Sequence, residues 1–461
     1  MDDRQQLLDR IAELESANAD LQAENADLRQ RLAQLEHQLQ NIHQRRKRTS
    51  GERGNRAGTT NDRRRKKHRK HPGFFRPEPP PGTKFIEHDV HPKQCSHCGS
   101  DDLQPTNEFE DHIVADIPEP KLEWHRYRRH VYLCRCCQQT CRGRGDLELP
   151  GAHIGPRARL LTSYGRAHLG ISLGKTQNLL HDFFGLTVSR AGLLGHLRWA
   201  GQLFEPVVEE LLNRLRNSPV VQGDETGWRI NGQTAWAWCF RDPSLALFLI
   251  DRHRSREVIV RVLGETFAGT LVTDFYAAYN GLACLKQRCL VHLLRELAKL
   301  REELPWQSVQ AFIGPLITLF QDAIQLGKNR DQLSAKAFDL GHQKIIDRFD
   351  ELLLTSRSRH PECLRIWRRL FKHCDELFTF LDDPRVPADN NGCERDIRSL
   401  AAARNDGGTH RAEWSATAFA RIKSVIVTGL KNGVRFIHYG LEVVRAKLQG
   451  QALPLPLDPS N

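Results

Sequence analysis

Between Pro219 and Val291 short apolar runs alternate with turns and one helical segment, and two of those runs end on an aspartate. Pro219 to Gln222 leads into Gly223-Asp224, the reading of a buried strand that delivers a carboxylate at its C-terminal end. Thr234 to Phe240 (TAWAWCF) sets Trp236, Trp238 and Phe240 at period two, which predicts a strand with one apolar face. Ser244 to Ile250 is a third strand and Arg254 to Leu263 a helix. Gly269 to Thr273 (GTLVT) is a fourth strand, again ending in an acid, Asp274. Gln287 to Val291 is a short fifth strand running into a helix over His292 to Glu303.

Three strands, a helix and a fourth strand match the order of the ribonuclease-H-like fold, in which the ends of the first and fourth strands lie side by side. A third acid, Glu394 in ADNNGCERDIR, arrives late: Asp224 and Asp274 are 50 positions apart, Asp274 and Glu394 120. The intervening stretch, Trp306 to Leu381, carries an apolar stripe at helical spacing that includes Phe312, Leu316, Leu319 and Phe320, and reads as an all-helical insertion. Asn390 and Asn391 are helix-starting residues, so Glu394 falls in a first turn with Arg398 one turn along the same face. Three carboxylates from distant segments suit Mg²⁺ or Mn²⁺, hard cations that take oxygen ligands and keep several waters. Two such ions about 4 Å apart neutralise a phosphodiester transition state and activate the attacking oxygen. Singly, each acid is more often a turn former or helix cap; their joint placement is what points to a site.

The formal net charge is +12, and thirteen Lys and Arg against two acids between Arg45 and Lys70 account for nearly all of it. This run, with Arg63, Arg64, Arg65, Lys66 and Lys67 at its densest, is expected to be disordered when free and to bind nucleic acid in a salt-dependent way. A solvated linker is the blander alternative. Upstream, Leu7, Leu14, Leu21, Leu28, Leu35 and Ile42 recur every seven residues, with Ile11, Asn18, Asn25, Leu32 and Leu39 at the companion positions. That is a parallel zipper with two core asparagines, and it predicts a homodimer or higher oligomer. Gly51, Gly54 and Gly58 keep the helix from continuing into the basic run.

Six of the twelve cysteines crowd between positions 95 and 141, a clustering that favours metal over disulfides. Cys95-x-x-Cys98 and Cys134-x-x-Cys137 have the spacing of two clasps on a tetrahedral, structural Zn²⁺, with Cys136, Cys141, His88 and His91 as competitors for the last position. Short strands are expected at 112–120 and 125–134, as in a zinc ribbon. Residues 173–200 read as a helix-turn-helix in which Leu179, Leu180 and Phe183 face a core and Gly185 makes the turn. Ser189 to Trp199 is then the recognition helix with Arg190, His196 and Arg198 outward, although plain helical bundles share this pattern. No run of 18 apolar residues and no signal peptide occurs, so a soluble, cytoplasmic protein with no membrane partner is expected.

The order DETGW, DFYAAYN, a Cys289-x-x-His292 pair before a helix, then DNNGCER followed by Arg404 and TGLKNG resembles the insertion sequence 66 transposase family over nearly the whole chain. The resemblance implies Asp224, Asp274 and Glu394 as catalytic metal ligands, a DNA substrate comprising element ends and target, small accessory proteins of the same element, and a nucleoid-associated bacterial setting. His292 is either a DNA contact or a core histidine, and Arg398 and Arg404 suit phosphate. Gly392-Cys393 and the following RDIR depart from the family's usual third motif while sparing the carboxylate.

The expected architecture is therefore multidomain α+β. It comprises a coiled coil (1–43), a basic arm and Pro-rich linker (44–84), a zinc-ribbon-like module (85–150) and a helical DNA-binding region (151–215). A ribonuclease-H-like α/β core (216–450) with an all-helical insertion at about 304–385 and a tail (451–461) complete it. The competing function is a dimeric DNA-binding regulator whose nuclease-like domain is inert. A junction- or RNA-cleaving nuclease would share the acids but leaves the zipper and zinc modules unexplained.

Overall fold

The structure, a computed structural model, describes residues 79–106, 108–355 and 358–457. The expected zipper, the basic run with Arg63 to Lys67 and most of the proline-rich linker lie outside the described residues. The chain divides into two compact units, Met1–His112 and Ile113–Asn461. Described residues of the first unit form turns and extended segments only, including a turn at Cys95-Cys98. In the second unit β1 (Val131–Leu133) pairs antiparallel with β2 (Thr140–Arg142). No strand forms over 112–120, contrary to expectation. Ile113, Val114 and Ile117 are exposed with no layer to cover them, and Pro118 and Pro120 lack the amide a ladder needs.

Four helices follow: α1 (Pro156–Ala167), α2 (Leu173–Phe184), α3 (Arg190–Leu203) and α4 (Glu205–Arg216). Local chemistry sets the α2–α3 corner. Ser172 and Ser189 accept the amides of Lys175 and Gly192 at the two N-termini, and Gly185 ends α2 at φ 65°. Two expectations fail here. Phe183 is 61% exposed rather than in the core. His196 points inward, 4% exposed, with Nδ1 3.1 Å from the Thr162 hydroxyl. The reason is a covering helix that local periodicity cannot reveal: α3 packs on α1 and on a helix over 413–431, against which Gly201 approaches so closely that a Cβ would meet Ala418.

The central sheet consists of β3 (Val220–Ile230), β4 (Gln233–Arg241), β5 (Ala246–Asp251), β6 (Thr266–Thr273) and β7 (Ala283–Arg288), with α5 (Arg256–Leu263) between β5 and β6. Its order is β5-β4-β3-β6-β7. β3, β4 and β5 run antiparallel in sequence, and β6 and β7 add parallel to β3. Asn231 and Gly232, both at positive φ, make the two-residue turn between β3 and β4. β4 is buried on both faces rather than one, because Ala235, Ala237 and Cys239 pack against helices on the side opposite Trp238 and Phe240.

The expected fifth strand is displaced: β7 ends at Arg288, and Leu290 and Val291 already belong to α6 (Leu290–Glu303). The insertion is all-helical, with α7 (Gln307–Lys328), α8 (Ala335–Thr355), α9 (Pro361–Lys372) and the short α10 (Thr379–Asp382). It has its own core, in which Phe312, Leu316, Leu319 and Phe320 are all buried. By length and composition α7 could cross a membrane; its apolar side is the one turned into this core. The chain then returns through α11 (Asn391–Gly407), α12 (Glu413–Lys431) and α13 (Phe436–Gln449). α12 covers the edge of the sheet: Ser424 and Thr428 hydroxyls accept the Phe248 and Ala246 amides of β5 at 2.8 and 3.1 Å.

Asn390 starts α11, but its side chain does not cap the helix. Its amide instead donates to the Gly223 carbonyl at 2.8 Å, fully buried, and fastens α11 to β3. Asn390→Ala is therefore expected to cost about 1–3 kcal/mol in chemical denaturation. Asn391→Ala, whose side chain makes no such bond, should stay within about 0.5 kcal/mol of the parent.

Candidate active site

The parallel pairing of β3 with β6 ends at Gln222 opposite Val272, and each strand carries an acid two positions further, Asp224 and Asp274. Period-two alternation then sets both acids on the side chosen by that last pair. Asp224 differs from expectation in one respect: it lies inside a strand of 11 residues, not at its end, because β4 continues to pair with β3 through Ile230. β6 ends at Thr273, so Asp274 opens a loop, where its carboxylate accepts the Tyr276 amide at 2.8 Å.

Glu394 is brought to the same place by the segment before α11. Gln222 donates to the Asp389 carbonyl at 3.1 Å, the Leu290 amide to Ala388 at 3.0 Å, and the Asn390 amide to the Cys289 sulfur at 3.2 Å. Gly392 is required by space: a Cβ there would sit 1.8 Å from the Arg241 guanidinium and 2.3 Å from the Gln222 amide oxygen. Cys393 fills a buried slot and donates to the Cys239 carbonyl. The departures from the usual third motif are thus accommodated by packing.

The charges interact. The Asp224 carboxyl is pushed up to about 7, first by burial, then by the charge of Glu225, against the lowering effect of the Glu225 amide it accepts, with smaller upward contributions from Asp274 and Glu394. Glu394 Oε1 is buried and has no hydrogen-bond partner. Its neighbours are basic side chains: His292 Nε2 at 3.6 Å, Arg295 at 3.5 Å and, from Oε2, Arg398 at 3.5 Å. A buried Asp224 whose carboxyl is raised by its surroundings, with Asp274 and Glu394 among its neighbours, has the donor chemistry of a divalent-cation site.

Three residues at this site escaped the sequence reading. Glu225 is held by Arg254 at 2.7 and 3.0 Å and by the Tyr279 hydroxyl at 2.6 Å, with Arg254 stacked on Trp236 and Tyr276. Arg288, 0% exposed, donates to the Asp274 carbonyl (2.8 Å), Asn280 (2.6 Å) and Glu376 (2.5 Å), which ties the insertion to the Asp274 loop. A Lys-Gln-Arg sequence inside a strand was the available signal. Arg295, on the α6 face shared with His292, is the third.

The remaining expected residues are dispersed. His292 is 37% exposed beside Glu394. Arg404 binds the Gly227 carbonyl of β3. Arg190 is exposed at the start of α3, and Arg198 stacks over Trp414. At the cysteines, Cys95 and Cys134 each open a turn closed by backbone bonds from Gly99 and Gln138, both at positive φ. The Cys95 thiol is lowered by the amides of His97 and Cys98, and Cys134 by those of Cys137 and Cys136, an environment suited to thiolate ligands.

Residues 155–418 match the family model described as "Transposase IS66 family", and residues 92–138 that described as "zinc-finger binding domain of transposase IS66". Two Sinorhizobium fredii (strain NBRC 101917 / NGR234) proteins are similar. The uncharacterized protein y4qI is 25% identical over 54% of this chain and 52% of its own length. The uncharacterized protein y4jD is 23% identical over 69% and 68%. The chain thus spans about half the length of y4qI.

Because the folded Asp224 carboxyl titrates near 7 against 3.8 when unexposed to this field, the folded state holds its proton more tightly. The associated stability is full below about pH 4 and is lost as pH rises through about 7. Asp224→Asn, free of divalent ions, should therefore be more stable than the parent at pH 8 by about 1–3 kcal/mol, an advantage that vanishes toward pH 4. Thermal unfolding across that range, with Mg²⁺ restoring the parent but not the variant, is the measurement.

Proposed function

The chain belongs to the IS66 family of transposases, and from that premise we propose that it binds the ends of its insertion sequence and catalyses metal-dependent DNA strand cleavage and strand transfer. The observation that carries this is the placement of Asp224 and Asp274, each two positions beyond the last parallel pair of β3 and β6, Gln222 and Val272, with Glu394 near enough to help raise the Asp224 carboxyl. The sheet order supports a ribonuclease-H-like core.

Asp224 and Asp274 would hold both of two Mg²⁺ or Mn²⁺ ions, and Glu394 would complete one of them. Bound there, the ions supply charge neutralisation on the phosphodiester and an activated oxygen nucleophile. The chain's own residues do the rest. The Asp224 carboxyl, neutral at low pH, gives up its proton to become a ligand. Arg254 and Tyr279 fix Glu225, and with it the strand that carries Asp224. Arg288 holds the Asp274 backbone in place. Arg295 and Arg398, exposed beside Glu394, are free to turn from it to DNA phosphates; His292 lies beside Glu394, and Arg404, which binds the Gly227 carbonyl, would be a further phosphate contact.

Further DNA contacts fall to Arg63, Arg64, Arg65, Lys66 and Lys67 of the basic run and to Arg190. The zinc-finger match takes in both cysteine pairs, which supports structural Zn²⁺ on Cys95, Cys98, Cys134 and Cys137. The heptads of residues 1–43 would supply self-association, and small accessory proteins of the same element are expected partners in a bacterial cytoplasm.

With an end-bearing duplex and Mn²⁺, the parent should nick and join strands while Asp274→Ala loses activity on the order of 10³-fold or more. Equal cleavage by both would remove the assigned site and leave a dimeric DNA-binding regulator with an inert core as the better account.

A further inference from the structure

The acids Asp224 and Asp274 offer oxygen alone, but Glu394 faces a different chemistry on its other side. Cys289 immediately precedes α6 and His292 is that helix's third residue, a spacing of three that sets both on one face of the first turn. The ligand atoms of Cys289, His292 and Glu394 all lie within 4.8 Å of one another. Bonds of roughly 2.0–2.3 Å to a cation need ligand separations a little under 4 Å. His292 Nε2 and Glu394 Oε1, 3.6 Å apart, already meet that.

A further observation points to a missing partner. Glu394 Oε1 and His292 Nδ1 are both buried with no hydrogen-bond partner. The Cys289 sulfur is held in place: it accepts the Asn390 backbone amide at 3.2 Å, while burial raises its thiol above the ordinary value.

We propose that Cys289, His292 and Glu394 form a divalent-cation site of mixed sulfur, nitrogen and oxygen ligands, one that prefers borderline cations such as Zn²⁺ or Co²⁺ to Mg²⁺. Thiolate and imidazole select such ions, whereas Mg²⁺ takes oxygen. The inference deepens the proposed function by making its two ion positions chemically unequal. It rests on that reading only in taking Glu394 as an ion ligand.

Binding is measured without DNA, so the result is independent of strand transfer. The full chain, carrying its tightly held zinc and dialysed free of looser cations, is titrated with Co²⁺ while the near-ultraviolet sulfur-to-cobalt absorption is followed. About one equivalent of this band is expected, absent in Cys289→Ser and retained when Asp224 and Asp274 are both changed to Asn. His292→Gln, which keeps the thiol, should weaken Co²⁺ binding about tenfold or more. A spectrum unchanged by Cys289→Ser, or an affinity unchanged by His292→Gln, overturns the inference while leaving the Asp224–Asp274 reading intact.

Discussion

Burial of carboxylates gathered where β3 leaves its parallel neighbour is the constraint to which the surroundings respond. Loss of solvation, and after it the neighbouring charge of Glu225, raises the Asp224 carboxyl to about 7. Glu225 is compensated by Arg254 and Tyr279, and Glu394 by His292, Arg295 and Arg398. Asp224 receives the backbone amide of its strand neighbour Glu225, and Asp274 the Tyr276 amide of its own loop. The uncompensated charge is therefore concentrated on that pair, where a small hard cation is the natural complement.

Holding such a site together requires stiff connections. Asn390 and Gly392 press the start of α11 onto β3, so the carboxylate of Glu394 cannot retreat without breaking buried hydrogen bonds. Arg288 does the same for the Asp274 loop. A fully buried guanidinium is tolerable only with its donors satisfied, and here they reach a backbone carbonyl, an asparagine and a glutamate. Because Glu376 lies in the insertion, the helical domain is mechanically continuous with the second acid. The insertion itself disturbs the sheet little: its own core stabilises it, and the segment leaving it is tied back to the start of α6, where the Leu290 amide donates to Ala388. Long insertions between adjacent ends carry a small closure cost.

Much of the fold was legible along the chain. The helix starts at Ser172 and Ser189, the Gly185 turn, the stripe of the insertion and the order of strands around the acids all follow from residue type and spacing. Two of the errors share a cause. β4 has two buried faces and His196 turns inward because of elements distant in sequence, α11 and α12, whose positions no local period encodes. Glu225 was passed over because alternation sets it on the face opposite Asp224, and only the Tyr279 and Arg254 partnership makes it part of the site.

The sequence by itself determined which residues carry oxygen, sulfur and positive charge, and which segments become strands or helices, since these depend on side-chain chemistry and short-range periodicity. Only the tertiary structure decided that acids 50 and 120 positions apart share one electrostatic field, and that Cys289 and His292 stand against the third of them. Such convergence is set by strand register and by buried contacts between remote elements, and neither is written in the residues that flank each acid.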